Sequence, residues 1–250
     1  MSNNDSLLVE DIIVKSINGK RYEQIGNNLK HMLFAAFGPI DDDEVIYSHK
    51  TEGFIKPDLI VEINGVYKNI SVKSGRAENV HNEILDNFIA FLREKGISEK
   101  TLLTIKRYHY GDGTTDGTGE NRKNYYELMN EMKDDIDLAN EELNYRKEFV
   151  LDVVYHCVFQ GTSKDNPVVD AIYFGSKEYG IVATRKQIIS HLRKRSFSFY
   201  DNLHIGPLHL RPHSRYSDRE VVDERNRQRI IAYWPNLNAD LDYISKRYNY

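Results

Sequence analysis

An Asn-Gly pair between two short alternating segments is the feature that most restricts how this chain can fold. Asn64 and Gly65 favour a tight two-residue turn, because the central positions of such a turn need positive φ angles. The flanking segments, 59–63 and 67–73, are rich in Ile and Val and are predicted to be β-strands. We therefore predict an antiparallel hairpin whose paired residue numbers sum to about 129, which places Asp58 opposite position 71.

The predicted hairpin brings a carboxylate, a hydroxyl and an ammonium group to the same end of the sheet. Asp58 precedes the first strand, and Ser71 and Lys73 lie at the end of the second strand. Because side chains alternate along a strand, Ser71 and Lys73 share a face. Carboxylate oxygens suit Mg²⁺, and a nearby ammonium can orient an attacking water and stabilise phosphate charge. This combination of residues is suited to phosphodiester hydrolysis.

Hydrophobic patterning along the rest of the chain predicts an α/β protein. A segment rich in Gly, Asp and Thr, 111–119, is predicted to be a loop, and it matches neither a phosphate-binding nor a calcium-binding loop pattern. The remaining segments show helical spacing or short apolar runs. The predicted helices are 22–37, 80–96, 125–145 and 187–194, and the predicted further strands are 45–47, 102–108, 149–159, 171–174 and 181–184.

Composition places the chain among globular proteins. The longest uninterrupted apolar run, 32–37, is much shorter than the roughly 20 residues of a membrane span, so no membrane partner is expected. The first residues lack a basic leader and an apolar segment, and the single cysteine, Cys157, cannot form an internal disulfide. We expect a cytoplasmic protein. With no repeat and no linker-like tract, residues 1–250 are predicted to form a single domain.

The formal net charge of −4 conceals a basic region near the C-terminus. Between positions 185 and 229, eleven Lys and Arg residues accompany only five Asp and Glu residues, whereas 127–148 is acidic. Such an excess of positive charge is suited to binding anions such as nucleic-acid phosphates. A solvated basic face without a ligand would have the same composition.

The order Pro57-Asp58, strand hairpin, Ser71-x-Lys73 resembles the PD-(D/E)XK nuclease superfamily, in particular type II restriction endonucleases with a Ser-x-Lys variant of the motif. The resemblance covers roughly residues 22–108. It implies a restriction-endonuclease-like core in which helices flank a mixed central sheet. It also implies hydrolysis of double-stranded DNA with Mg²⁺, for which Mn²⁺ can substitute, by a homodimer.

The resemblance also implies roles for individual residues. Asp58 and Val72 would hold the metal and Lys73 would position the water, within a catalytic core at about 20–110. Ser71 stands where the family has its second acid, and a hydroxyl is a poor replacement for a carboxylate on Mg²⁺. Some restriction enzymes with Ser-x-Lys recruit a glutamate from the following helix, and we favour Glu83 for this role.

Three side chains near the predicted site have alternative interpretations. Asp86 is the other acid that could replace the missing carboxylate, and either acid could simply complement a helix dipole. Glu23, at the predicted start of the first helix, could reach the metal or its water, as a glutamate does in junction resolvases, or could also complement the dipole. His81 could contact phosphate or assist proton transfer, although a lone histidine is more often a cap or surface residue.

A C-terminal DNA-recognition subregion is placed at about 150–250. Arginine suits both bidentate recognition of guanine and phosphate contacts, and the sequence leaves both interpretations open. The predicted DNA-binding residues are Arg211, His213 and Arg215, together with His81 and Arg76.

These features predict a Mg²⁺-dependent, site-specific DNA endonuclease of the type II restriction class. One alternative is a structure-selective nuclease for repair, junction or phage DNA. Another is a nuclease-fold protein that binds DNA without cleaving it, for which Ser71 is the main indication. An unrelated α/β enzyme acting on a small molecule would leave the basic region unexplained.

Overall fold

The computed structural model describes residues 3–53, 55–75, 78–119, 122–197, 202–213 and 224–248. The chain divides into two compact units. The first comprises Met1–Glu78, Val158–Arg195 and Asn236–Tyr250, and the second comprises Asn79–Cys157 and Ser196–Pro235. Each unit therefore contains segments from both halves of the sequence.

Helices and strands are interspersed along the chain, with a 3₁₀ turn at Tyr22–Gln24 and a π-helical segment at Tyr155–Gln160. In chain order the elements are α1 (Asn3–Ile17), β1 (Lys20–Arg21), α2 (Asn27–Phe37), β2 (Val45–Lys50), β3 (Leu59–Ile63), β4 (Val66–Lys73), β5 (Asn79–Ile84), α3 (Leu85–Glu94), α4 (Glu99–Tyr110), α5 (Tyr125–Tyr145), α6 (Lys147–Val154), β6 (Ala171–Gly175), β7 (Gly180–Thr184), α7 (Arg185–Lys194), β8 (His204–Ile205), β9 (Leu208–Pro212), α8 (Glu224–Arg227), β10 (Arg229–Tyr233) and α9 (Leu237–Arg247).

The first unit is built on a six-stranded mixed sheet in the order β1-β2-β3-β4-β6-β7. Neighbouring strands are antiparallel except β4 and β6, which run parallel. Helices α1 and α2 pack their apolar faces on this sheet, and the shared core excludes water from both. The predicted α/β class with a mixed sheet flanked by helices is confirmed. Representative core residues are Ile13, Ile17, Leu29, Met32, Leu33, Leu59, Val61 and Ile70.

The hairpin of β3 and β4 has the predicted register. Leu59 pairs with Ile70, and Ile63 pairs with Val66. Asn64 and Gly65 have φ angles of 51° and 76°, so both turn positions are left-handed, as a tight turn between twisted strands requires. The local sequence therefore determines the strand ends at which Asp58 and Lys73 lie.

The second unit contains a four-stranded antiparallel sheet in the order β5-β10-β9-β8, together with helices α3 to α6. The acidic helix predicted at 125–145 is confirmed as α5, which Asn124 caps by accepting a hydrogen bond from the Glu127 amide. Segment 111–119 contains no helix or strand, as predicted for a loop.

The predicted helix at 80–96 is wrong in its first turns. Residues 79–84 form β5, and helix α3 begins only at Leu85. In β5, Glu83 pairs with Ile230 and His81 pairs with Ala232 of β10. This pairing joins segments far apart in sequence, so it could not be predicted from the spacing of Val80 and Ile84.

Two predicted strands are helices. Segment 102–108 lies in α4, whose start Ser98 caps through the Thr101 amide and whose end has Gly111 in the left-handed region. Segment 149–159 forms α6 and the π-helical segment, where continuous apolar character reflects burial rather than strand structure. Short apolar runs do not distinguish a buried helix from a buried strand.

The predicted first helix also differs from the structure. It begins at Asn27 rather than position 22, because the 3₁₀ turn precedes it, and an earlier helix, α1, was not predicted. The predicted helix at 187–194 and the strands at 45–47, 171–174 and 181–184 correspond to α7, β2, β6 and β7. No helix within the described ranges is long and apolar enough to cross a membrane.

His109, near the end of α4, is a neutral histidine held in the interior. It is 2% exposed, and its Nε2 lies 2.8 Å from the backbone oxygen of Arg227, which can only accept a hydrogen bond. Burial lowers the pKa of His109 to about 4, because the charged imidazole would lose its hydration.

We predict that His109 makes the protein less stable as the pH falls from 6.5 towards 4. In this range the unfolded chain binds a proton that the folded chain excludes, which costs about 2 kcal/mol between pH 7.5 and 5. His109→Gln keeps a donor for Arg227 and removes the titration, so its decline in unfolding free energy should be smaller by that amount. Urea denaturation of both proteins at the two pH values measures the difference, and equal declines would contradict the prediction.

Candidate active site

Backbone hydrogen bonds hold Asp58 at the start of β3. Its amide donates to the Ile70 carbonyl at 2.9 Å, which continues the β3–β4 ladder by one residue. Its carbonyl accepts a hydrogen bond from the Thr51 amide at 3.1 Å, and the Thr51 hydroxyl donates to the Pro57 carbonyl. Position 58 is therefore fixed from both sides of the strand.

One oxygen of the Asp58 carboxylate faces three donor groups from the end of β4. Oδ2 accepts hydrogen bonds from the Ser71 hydroxyl at 2.9 Å and from the Val72 amide at 2.6 Å. The ammonium nitrogen of Lys73 lies 3.7 Å from the same oxygen. About a quarter of each charged side chain is exposed, 24% for Asp58 and 22% for Lys73, so the group can be reached from solvent.

Glu10, on α1, is an acidic neighbour of this group that the sequence analysis missed. Its side chain is 11% exposed, and Oε2 lies 3.2 Å from the ammonium of Lys50, which also pairs with Asp11 at 3.1 Å. Burial raises the pKa of Glu10, and the negative charge of Asp58 raises it further, while Lys50 and Lys73 act in the opposite direction. Glu10 is thus electrostatically coupled to both Asp58 and Lys73.

The sequence contained a signal for Glu10. Glu10, Ile13 and Ile17 are spaced by three and four residues, so they share one helix face, and the two isoleucines are fully buried. A carboxylate on the apolar face of a helix is costly to bury unless it has partners or a function. Recognising this signal requires knowing that α1 exists, and the helix was not predicted.

The oxygen donors of this group fit a hard divalent cation. Two carboxylates, Asp58 and Glu10, are close enough for their charges to interact, and Ser71 adds a hydroxyl oxygen. The repulsion that raises the pKa of Glu10 is the kind of interaction that a bound cation relieves. Mg²⁺ selects carboxylate and other oxygen ligands, so Asp58 and Glu10 are the residues suited to hold it.

The other predicted active-site acids have different local surroundings. Glu23 is exposed in the 3₁₀ turn, where its amide donates to the Asp42 carbonyl at 3.0 Å. Asp86 lies in the first turn of α3 and pairs with Lys106 at 2.8 Å. Glu83 lies on β5 in the second unit. Asp58, Ser71, Val72 and Lys73 lie together in the first unit.

Glu83 is buried between two histidines. Its Oε1 lies 2.7 Å from Nε2 of His81 and 2.9 Å from Nε2 of His156. Burial acts to raise the pKa of Glu83, but hydrogen bonds from His156 and His81 outweigh it and lower the pKa to about 2. His81, which was predicted to contact DNA, is only 7% exposed. Its contact with DNA stays a prediction.

Arg211 lies near the end of β9, an inner strand of the four-stranded sheet, and His213 follows directly after this strand. The Arg211 guanidinium donates to the Asn79 side chain at 2.8 Å and lies 5.3 Å from the Tyr233 ring centroid. His213 is exposed, and its amide donates to the Arg229 carbonyl. The predicted residues Arg76 and Arg215 lie outside the described residues.

Comparisons with known proteins find a similar structure but no matching family model. No protein-family model and no curated protein matches the chain. Among solved structures, the chain is similar to restriction endonuclease MspI in a crystal structure with its cognate DNA. The TM-score is 0.44 at 14% sequence identity, over 93% of each chain. The side chains of this protein therefore have to be interpreted from their own contacts.

We predict that Ser71→Asp makes stability depend on Mg²⁺. In EDTA the new carboxylate would lie beside Asp58, and the repulsion should cost on the order of 1 to 2 kcal/mol of unfolding free energy. Mg²⁺ should raise the melting temperature of this variant by more than that of the wild type, because the cation binds the folded state. Ser71→Asn, which has the same shape without the charge, is the control. An equal response to Mg²⁺ in both variants would mean that a carboxylate at position 71 does not contact a cation.

Proposed function

We propose that this protein is a Mg²⁺-dependent endonuclease that cleaves double-stranded DNA in the manner of type II restriction enzymes. The observation that supports it most is the convergence of Ser71, Val72 and Lys73 on one oxygen of Asp58. A metal-binding carboxylate held beside an ammonium is the arrangement implied by the resemblance to the PD-(D/E)XK superfamily. The proposed fold is accordingly restriction-endonuclease-like.

Each residue of the group has a proposed part in hydrolysis. Asp58 and Glu10 hold Mg²⁺, which when bound polarises the scissile phosphate and favours ionisation of the attacking water. Lys73 orients the water and stabilises the negative charge that develops on the phosphate. Ser71 and the Val72 amide keep the Asp58 carboxylate in one orientation. A direct metal contact from Val72 stays a prediction.

Glu10 is our choice for the second carboxylate, in place of Glu83. Its charge interacts with Asp58 and Lys73, whereas the hydrogen bonds of Glu83 are with His81 and His156. The carboxylate that Ser71 lacks would then come from α1 rather than from the segment after the hairpin. Assignment of Glu83 to the same ion as Asp58 remains the rival hypothesis.

DNA binding is assigned to basic side chains of β9 and β10, the two inner strands of the four-stranded sheet. Arg211 and Arg229 are anchored by Asn79 and Asn82, so their guanidinium groups are held in place for phosphate or base contacts. We also propose a homodimer, since a twofold protein matches a palindromic site, and activity with Mn²⁺ in place of Mg²⁺.

Ser71 gives one specific reason to consider a second function. A protein that retained the fold and lost the second acid would bind DNA without cleaving it. Cleavage of branched DNA but not of linear DNA would instead identify a structure-selective nuclease. Incubation with linear and branched DNA, in Mg²⁺ and in EDTA, followed by sequencing of new ends, distinguishes these possibilities.

Lys73→Ala should abolish Mg²⁺-dependent cleavage while DNA affinity stays within a few-fold. We expect a rate loss of at least about 100-fold, because the developing phosphate charge loses its ammonium partner. Lys68→Ala is the matched control, since Lys68 lies on the same strand opposite Val61. Cleavage rates and DNA affinities of both variants are compared. Cleavage by Lys73→Ala at the wild-type rate would remove this residue from the mechanism.

Glu10→Gln should increase the Mg²⁺ concentration needed for half-maximal cleavage by at least about tenfold, because one carboxylate ligand is lost. Asp11→Asn is the control, as Asp11 also pairs with Lys50 but is 47% exposed. A titration of cleavage rate against Mg²⁺ gives the comparison. If Glu83→Gln raises the requirement and Glu10→Gln does not, Glu83 provides the second carboxylate.

A further inference from the structure

The second unit contains a group of metal-ligating side chains that the proposed reaction does not use. His81 and Glu83 are two residues apart on β5, so they point to the same face of the strand. His156 reaches them from the π-helical segment. One nitrogen or oxygen atom from each residue lies within 4.8 Å of the other two. All three residues belong to this unit.

We propose that His81, Glu83 and His156 bind a zinc ion. Two imidazole nitrogens and one carboxylate oxygen form a donor set that Zn²⁺ favours and Mg²⁺ does not, since Mg²⁺ prefers oxygen ligands throughout. Three protein ligands leave the fourth tetrahedral position to a water molecule. The ligand set thus differs in chemistry from the oxygen donors of Asp58, Glu10 and Ser71.

The present distances are compatible with an ion after a small adjustment. Zn–N and Zn–O bonds of about 2.0 to 2.2 Å in a tetrahedron place ligand atoms somewhat more than 3 Å apart. The two Nε2 atoms lie 2.7 and 2.9 Å from Oε1 of Glu83. Each of these two nitrogen–oxygen pairs therefore needs to open by roughly half an ångström when metal bonds replace the hydrogen bonds.

The surroundings hold the ligands in place. The side chains of His81 and Glu83 are 5% and 3% exposed, and the His156 ring stacks on Phe91 with centroids 4.2 Å apart. Aromatic packing fixes the plane of the imidazole, and burial removes water that would compete for the metal. A π-helical segment is rare and is frequently found at functional sites, and here it positions His156.

The ion would join β5 to a segment more than seventy residues later in the sequence. Binding in this position stabilises the folded state, because the unfolded chain does not hold the three ligands together. Zinc binding is therefore expected to stabilise the second unit. The second unit also contains Arg211 and Arg229, the arginines proposed to bind DNA.

The test uses the full-length protein and Co²⁺ as a spectroscopic substitute for Zn²⁺. We expect wild-type protein, stripped with chelator, to bind about one Co²⁺ per chain at this site with the intense visible bands of low coordination number. Zn²⁺ should bleach these bands, and excess Mg²⁺ should not. Zn²⁺ should also raise the melting temperature of the stripped protein.

Variants assign the binding to these residues. Glu83→Gln and His156→Gln should each weaken Zn²⁺ binding by at least about 100-fold, since each loses a direct ligand. Two controls should keep it: His109→Gln, a buried histidine of the same unit, and Asp58→Asn in the first unit. The Asp58→Asn result separates this site from the proposed nuclease centre, because that variant should lose cleavage and retain zinc.

Three results would overturn the proposal. Absence of stoichiometric Co²⁺ bands in the wild type would mean that the three residues form only a hydrogen-bonded cluster. Bands that persist in both Glu83→Gln and His156→Gln would place the metal elsewhere. Displacement of Co²⁺ by Mg²⁺ would mean that the donors are oxygens. The wild-type measurement decides the question even if a ligand variant fails to fold.

Discussion

Strand β4 determines where the side chains of the candidate active site lie in the first unit, because both of its edges are paired with other strands. It forms an antiparallel ladder with β3 and a parallel ladder with β6, and Ile70 and Val72 are buried along it. A strand held on both sides has little freedom to shift, so Ser71 and Lys73 stay in fixed positions. The orientation of the Asp58 carboxylate then follows, since two of its hydrogen bonds come from this strand.

The parts of the fold that were predicted correctly depend on local sequence. Asn64 and Gly65 determine the hairpin and its register, and Asn124 marks the start of α5. The parts that were predicted wrongly depend on distant partners. Strand β5 exists because it pairs with β10, and α4 resembles a strand unless Ser98 and Gly111 are recognised as its caps. Periodicity alone contains no information about such pairing.

The same distinction applies to the site. Asp58, Ser71 and Lys73 could be grouped from the sequence because a single hairpin brings them together. Glu10 could not, because its approach depends on how α1 packs on the sheet. A charged residue between apolar positions of a helix is the general signal for such cases. It becomes informative only once the helix itself is recognised.

The two units contain two kinds of ligand chemistry. Ser71 has no carboxylate to offer beside Asp58, and in the first unit we propose Glu10 for that part because its charge interacts with that of Asp58. Glu83 has two imidazole partners instead, and their nitrogens select a softer metal than Mg²⁺. To complete an all-oxygen site, Glu83 would have to give up both histidines, whereas Glu10 would have to give up only its contact with Lys50. The contacts of Glu83 therefore favour Glu10 as the acid that compensates for Ser71.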